Sequence, residues 1–192
     1  MNAEPLERAT ASTEKILASI SRDQLDLPTP CASWKVRDVV NHIAGNGYWF
    51  EAIASTGMAP ERPDNAAPDV TGGDYLGSFT DGARRAIAAF SAPGALDKAL
   101  ALPWAEMPAS LFIMMASTDQ FVHGWDLAIT TGQSADLDEE LAGRFLDFYR
   151  PALPDAFRGP DPQAPFGRAV TVPASAGVVA QLVAFLGRQP VS

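Results

Sequence analysis

The chain has 192 residues, 47% hydrophobic and 19% charged, with a net charge of −9; that length fits one domain with its own core, and the acidic balance excludes a general binder of nucleic-acid phosphates. No apolar run nears the roughly 20 residues of a membrane helix, and the opening Met-Asn-Ala-Glu-Pro-Leu lacks the basic and apolar regions of a secretory leader, so a cytoplasmic location without a membrane partner is expected. The single cysteine, Cys31, excludes an internal disulfide and suits a reducing compartment.

In chain order, residues 3–19 are alanine-rich, with Leu6, Ile16, Leu17 and Ile20 as apolar points, and read as a first helix. Leu27-Pro28-Thr29-Pro30 breaks it. Ser33 suits the N-cap of a second helix. There Trp34, Val36, Val39, Val40, Ile43 and Ala44 repeat at helical spacing, His42 lies near the apolar stripe, and Gly57 is the stop. Residues 58–73 form a polar loop of a length often tied to function or movement. Residues 74–90 read as a third helix with Leu76, Phe79, Ala83, Ile87 and Phe90 on one face. Residues 91–107, broken by Pro93, Gly94 and Pro103, read as a connector with one short extended piece.

Pro108 suits the first turn of the next helix. That helix runs through Leu111, Phe112, Met115, Phe121, Val122, Trp125 and Ile129 to about Gly132, and being apolar nearly all round it is expected to be central and buried. Residues 138–149 read as another helix, 151–172 as a Pro- and Gly-rich excursion with a short strand or extended strap at 169–172, and 174–186 as a last helix stopped by Gly187. The pattern is all-α, a helical bundle of the kind that holds metal sites between facing helices.

His42 and His123 are the only histidines. Asp119 precedes His123 by four residues, hence shares its helix face, and His42 on another helix completes a possible three-ligand set. Two imidazoles and a carboxylate with an open position form a common catalytic metal site for Zn, Ni, Fe or Mn. The same spacing also fits a surface ion pair or satisfied core histidines. Asp126, three after His123, reads either as an acceptor that orients an imidazole or as a bond to a neighbouring helix end. Asp38 reads as a solvated residue near a helix N-terminus, and Asn46, four after His42, as a neighbour of the same cavity. Cys31 reads as a small buried residue, with a nucleophile as the alternative. Trp34, Tyr48, Trp49, Phe50, Phe121 and Trp125 read mostly as core, with a pocket wall as the alternative. Arg84 and Arg85 read as a solvated face, and Arg150 and Arg188 as cations near helix ends, with an anionic ligand as the alternative for either. No Walker loop, dinucleotide glycine fingerprint, nucleophile elbow or CxxC pair is present.

Three stretches carry a family likeness: Thr-Pro-Cys-Ala-Ser-Trp-Lys-Val-Arg-Asp-Val-Val-Asn-His (29–42), Asp-Gln-Phe-Val-His-Gly-Trp-Asp-Leu-Ala (119–128) and Phe-Leu-Gly-Arg-Gln-Pro (185–190). Together they resemble the actinobacterial branch of the DinB/YfiT-like superfamily, in particular the metal-binding domain of mycothiol-dependent maleylpyruvate isomerase and its relatives. The resemblance implies a DinB-like four-helix bundle of up-down-down-up type holding one divalent metal ion, Zn first among the candidates. Its ligand positions fall on His42, Asp119 and His123, with Asp119 standing where the characterised isomerase has the longer Glu. It also implies a thiol cofactor such as mycothiol and an electrophilic small-molecule substrate. The expected division is 1–150 as the metal-binding bundle and 151–192 as a strap and helix packed on the same domain.

Three readings follow. The first is a thiol-dependent transferase or isomerase in which the metal activates the thiol. The second is a metal-dependent hydrolase on the same site, and the third a non-enzymatic binding or dimerisation module, with a homodimer as the assembly to test.

Overall fold

The computed structural model describes residues 2–61, 69–160 and 163–190; part of the 58–73 loop therefore lies outside the described residues. Four long helices, α1 (Glu4–Leu17), α2 (Val36–Thr56), α3 (Tyr75–Ser91) and α4 (Ala109–Thr131), form a bundle. Two further helices, α5 (Glu139–Ala152) and α6 (Val178–Phe185), follow.

The main pairs are α1 with α4 and α2 with α3. Thr13 Oγ1 donates to the Gln120 carbonyl (2.8 Å) and Gln133 Nε2 to that of Ile16 (3.1 Å), so α1 and α4 advance together. On the other side, the Val70 amide donates to Asn41 Oδ1 (2.8 Å) and the Tyr48 hydroxyl to Asp81 (3.4 Å), so α2 and α3 are also parallel. Against α4, α2 runs the other way: its later residues Trp49 and Phe50 meet Phe112 near the start of α4. The result is the expected up-down-down-up order.

The long 57–74 connection has a geometric cause. A 21-residue helix such as α2 is about 30 Å long, and a parallel neighbour must start back at its beginning. Where α2 and α3 pass, a Cβ on Gly47 would lie 2.6 Å from the backbone carbon of Gly82. The two helices thus touch backbone to backbone, an approach that requires glycine.

Four points differ from the sequence reading. First, α2 begins at Val36 rather than after Ser33, because the 29–34 segment is a turn closed by Trp34 N–H to the Cys31 carbonyl (2.7 Å) and Thr29 N–H to that of Trp34 (3.1 Å). The Asp38 carboxylate accepts the Lys35 N–H (2.8 Å) and so caps the helix. Second, Pro108 ends a strand and precedes α4 rather than opening it. Third, the connector before it holds a paired hairpin, β1 (Ala99–Ala101) against β2 (Glu106–Pro108), rather than one extended piece. Fourth, near the end of the chain, α6 starts at Val178 rather than at Ala174.

As expected of a helix apolar nearly all round, α4 is buried on most faces. Ser117 and Thr118 keep their hydroxyls satisfied by donating to carbonyls four residues earlier, at 2.6 and 2.8 Å. Asp138 caps α5 by accepting from the Leu141 amide (3.0 Å), while Arg8 of α1 grips the same carboxylate through Nε and Nη2. Next, α6 packs on α5, sharing a core with Phe121 and Trp125 of α4. The strap leading to α6 has no regular secondary structure at 169–172 and is tied down by Val170 N–H to the Ala184 carbonyl (2.9 Å). Among the described residues, no helix is long and apolar enough to cross a membrane.

Candidate metal centre

The early part of α2 and the middle of α4 cross with three donor atoms on the shared side. His42 Nε2 lies 3.3 Å from Asp119 Oδ1, and His123 Nε2 lies 3.7 Å from the same oxygen. One ligand atom from each of these residues falls within 4.8 Å of the others. The two imidazoles meet edge to face, with centroids 5.0 Å apart. Trp34, left outside α2 by the 29–34 turn, lies against both rings at 4.6 and 5.6 Å. Asn46, one turn after His42, donates to Asp119 Oδ2 at 2.7 Å and has its amide nitrogen 3.0 Å from His42 Nε2.

The other nitrogen of His123 faces a different group. Its Nδ1 is 3.0 Å from Asp126 Oδ2, and Asp126 is fully buried. Arg188, just past α6, spans both oxygens of that carboxylate, Nε to Oδ1 at 3.2 Å and Nη2 to Oδ2 at 3.0 Å. Cys31 completes the group: its thiol is 3.4 Å from Asp126 Oδ2, 3.5 Å from Arg188 Nη2 and 4.0 Å from His123 Nδ1.

Electrostatics follow from this arrangement. Burial works against the Asp126 carboxylate, but the Arg188 charge and the His123 bond outweigh it and hold it down at about 2. Burial also works against a charged His123, yet the bonds to Asp126 and Cys31 and the charge of Asp119 lift it to about 10. Burial likewise opposes the charge of Arg188, and Asp126 reverses that, leaving it raised.

The sequence-level candidates separate cleanly. His42, Asp119 and His123 come together. Asp126 bonds both the imidazole of His123 and Arg188 just past the end of α6, and Asn46 joins the cluster of His42 and Asp119. Of the aromatics, Trp34 alone among the six contacts the two histidines as a ring pair. Trp49 and Phe50 pack with Phe112, Phe121 and Trp125 pack towards α5 and α6, and Tyr48 bonds Asp81. Arg84 and Arg85 pair with Asp81 on the surface, and Arg150 bonds Gln181. Arg188 is the residue that sequence reasoning missed. It was legible as a cation near a helix end or a receiver of an anionic ligand, not as the partner of a carboxylate 62 positions earlier. Cys31 is half-buried beside His123 instead of being a plain packing residue.

The donor set fits a divalent ion. With bonds of 2.0–2.1 Å, neighbouring ligand atoms of a tetrahedral Zn site are about 3.3–3.5 Å apart, close to the two separations here. His123 has the bonded outer nitrogen that metal-binding imidazoles need. A second trio, Cys31, His123 and Asp126, also lies within 4.8 Å, but Arg188 already supplies its cation.

Comparison with known proteins adds the following. The family model of the mycothiol maleylpyruvate isomerase N-terminal domain matches residues 6–128. Two uncharacterized proteins of Mycobacterium tuberculosis, Rv0738 of strain H37Rv and MT0763 of strain CDC 1551, are each 37% identical over 186 residues, covering 95% of this chain and 94% of theirs. The crystal structure of the mycothiol-dependent maleylpyruvate isomerase superposes with a TM-score of 0.60 at 18% identity. That match covers 75% of this chain and spans 65% of the isomerase's length, and it shows a shared fold.

Proposed function

This chain belongs to the mycothiol maleylpyruvate isomerase N-terminal domain family, and from that premise we propose that it is a divalent-metal enzyme using a low-molecular-weight thiol of the mycothiol type, as a transferase or isomerase. The observation that carries this reading is the convergence of His42 Nε2 and His123 Nε2 on Asp119 Oδ1, at 3.3 and 3.7 Å. Residues 1–150 then form the metal-binding bundle, and 151–192 form a strap and helix that contribute Arg188. All three ligands come from one chain, so a partner copy is not needed to build the centre.

In this reading His42, Asp119 and His123 hold one ion, with Zn²⁺ first among Zn, Ni, Fe and Mn. When bound, the ion supplies the positive charge that makes a thiol acidic near neutral pH. His123 would ligate through Nε2 as the neutral imidazole and donate its Nδ1–H to Asp126, which fixes the ring. Arg188 holds both oxygens of Asp126, so the carboxylate cannot turn away from the imidazole. Trp34 covers both histidine rings and keeps water off that side of the centre. A cytoplasmic setting suits the chemistry, because the thiol stays reduced there.

Elemental analysis by mass spectrometry, on protein purified without chelator or metal-affinity tag, tests the centre. A single equivalent of one divalent metal is expected, lost in His42→Ala. No metal, with none taken up on adding divalent ions, overturns the reading, and full occupancy in His123→Ala overturns the ligand assignment. Turnover of a panel of electrophilic small molecules with and without added thiol then tests the chemistry. Thiol-dependent turnover is expected, whereas metal-dependent hydrolysis that needs no thiol points to the hydrolase.

A further inference from the structure

We propose that Asn46 is a positioning residue of this centre: by holding Asp119 Oδ2, its amide keeps Oδ1 turned towards His42 and His123 and so sets how tightly the short aspartate arm binds the ion. The inference rests on the metal reading above and concerns a residue that ligates nothing.

Aspartate has a short side chain whose terminal torsion is soft, with its two oxygens interchanging by rotation. The Asp119 side chain is 28% exposed, so solvent can reach the residue. A second anchor decides which oxygen faces inward. Asn46 is one turn beyond His42 on the same face of α2, only 3% exposed, and fixed by its surroundings. Its bond to Asp119 Oδ2 is 2.7 Å, short for an amide donor and strengthened by the charge of the acceptor.

The same amide nitrogen lies 3.0 Å from His42 Nε2. It carries two hydrogens, enough for both acceptors. When His42 Nε2 ligates, that longer, neutral contact is the one given up, and the shorter bond to the carboxylate remains. Asn46 thus bridges the two helices that supply the ligands, α2 through its own backbone and α4 through Asp119.

The test is the Zn²⁺ dissociation constant, measured by competition with a chromophoric chelator. The proteins are the wild type, Asn46→Ala, Asn46→Leu, Asp119→Ala and the Asn46→Ala/Asp119→Ala double variant. Asn46→Ala and Asn46→Leu are expected to weaken Zn²⁺ binding about 10- to 100-fold, the usual effect of removing a partner of a ligand, with helicity by circular dichroism unchanged. In the Asp119→Ala background there is no carboxylate to steer, so removing Asn46 should change binding by less than about twofold. The leucine variant keeps the side-chain volume and answers the question if the alanine variant does not fold. Wild-type affinity in both Asn46 variants, or the same fold-loss with and without Asp119, overturns the inference and leaves the metal reading standing. A wild-type chain that takes up no Zn²⁺ overturns the metal reading, and this inference falls with it.

Discussion

The two sides of the His123 ring are built from similar residues and do different things. Facing Nε2 are a carboxylate and an imidazole; facing Nδ1 are a carboxylate and a thiol, and both groups are compact enough to hold an ion. What separates them is the partner each carboxylate has. Asp126 is fully buried and carries the guanidinium of Arg188 across both oxygens. Asp119 is partly exposed and is held by the neutral amide of Asn46. Asp126 has a permanent cation across both oxygens, whereas Asp119 faces two imidazoles that can exchange their protons for an ion. A list of residue types at metal-like spacing would not have told them apart.

The largest effect is expected from removing the built-in cation. Arg188→Ala leaves Asp126 buried against His123 and the Cys31 thiol, and loss of one partner of a buried ion pair costs about 3–5 kcal/mol. Thermal unfolding should show it as a large drop in Tm, with only part recovered by Arg188→Lys, because an ammonium cannot span two oxygens. A change within experimental error would mean that the Nδ1 side is not the structural side. His42→Ala should lose the metal while costing only about 1–2 kcal/mol, mainly the contact with the Trp34 ring; chemical denaturation of the metal-free proteins isolates that term. Cys31→Ala should be the mildest, within about 1 kcal/mol of wild type in denaturant titration and with full metal content. Loss of metal in that variant would move the ion to the Nδ1 side and reverse the comparison.

Much of the fold was legible because helical periodicity and breakers are local signals. All six helices lie close to where the apolar repeats and the proline and glycine stops put them. The Asp119–His123 pair was legible for the same reason, since spacing of four fixes a common face. What escaped reading depends on contacts between distant segments. The hairpin at 99–108 forms because its two three-residue strands have each other and the bundle end to pack on; neither has a convincing period alone. The 29–34 turn, which throws Trp34 out of α2 and onto the histidines, competes with a helix start at Ser33 that the sequence makes equally attractive. Arg188 sits 157 residues from Cys31, and nothing local marks an arginine that folds back into the centre.

That return has a consequence for the order in which the protein comes together. Asp126 leaves the ribosome 62 residues before its guanidinium partner. At synthesis rates of about 5–20 residues per second, the acid waits about 3–12 s for Arg188. During that interval α4 carries, on a face destined for the interior, a carboxylate that still lacks the guanidinium spanning both its oxygens. The nascent bundle therefore has reason to stay loose around Asp126, and arrival of the last helix is the event that lets it close.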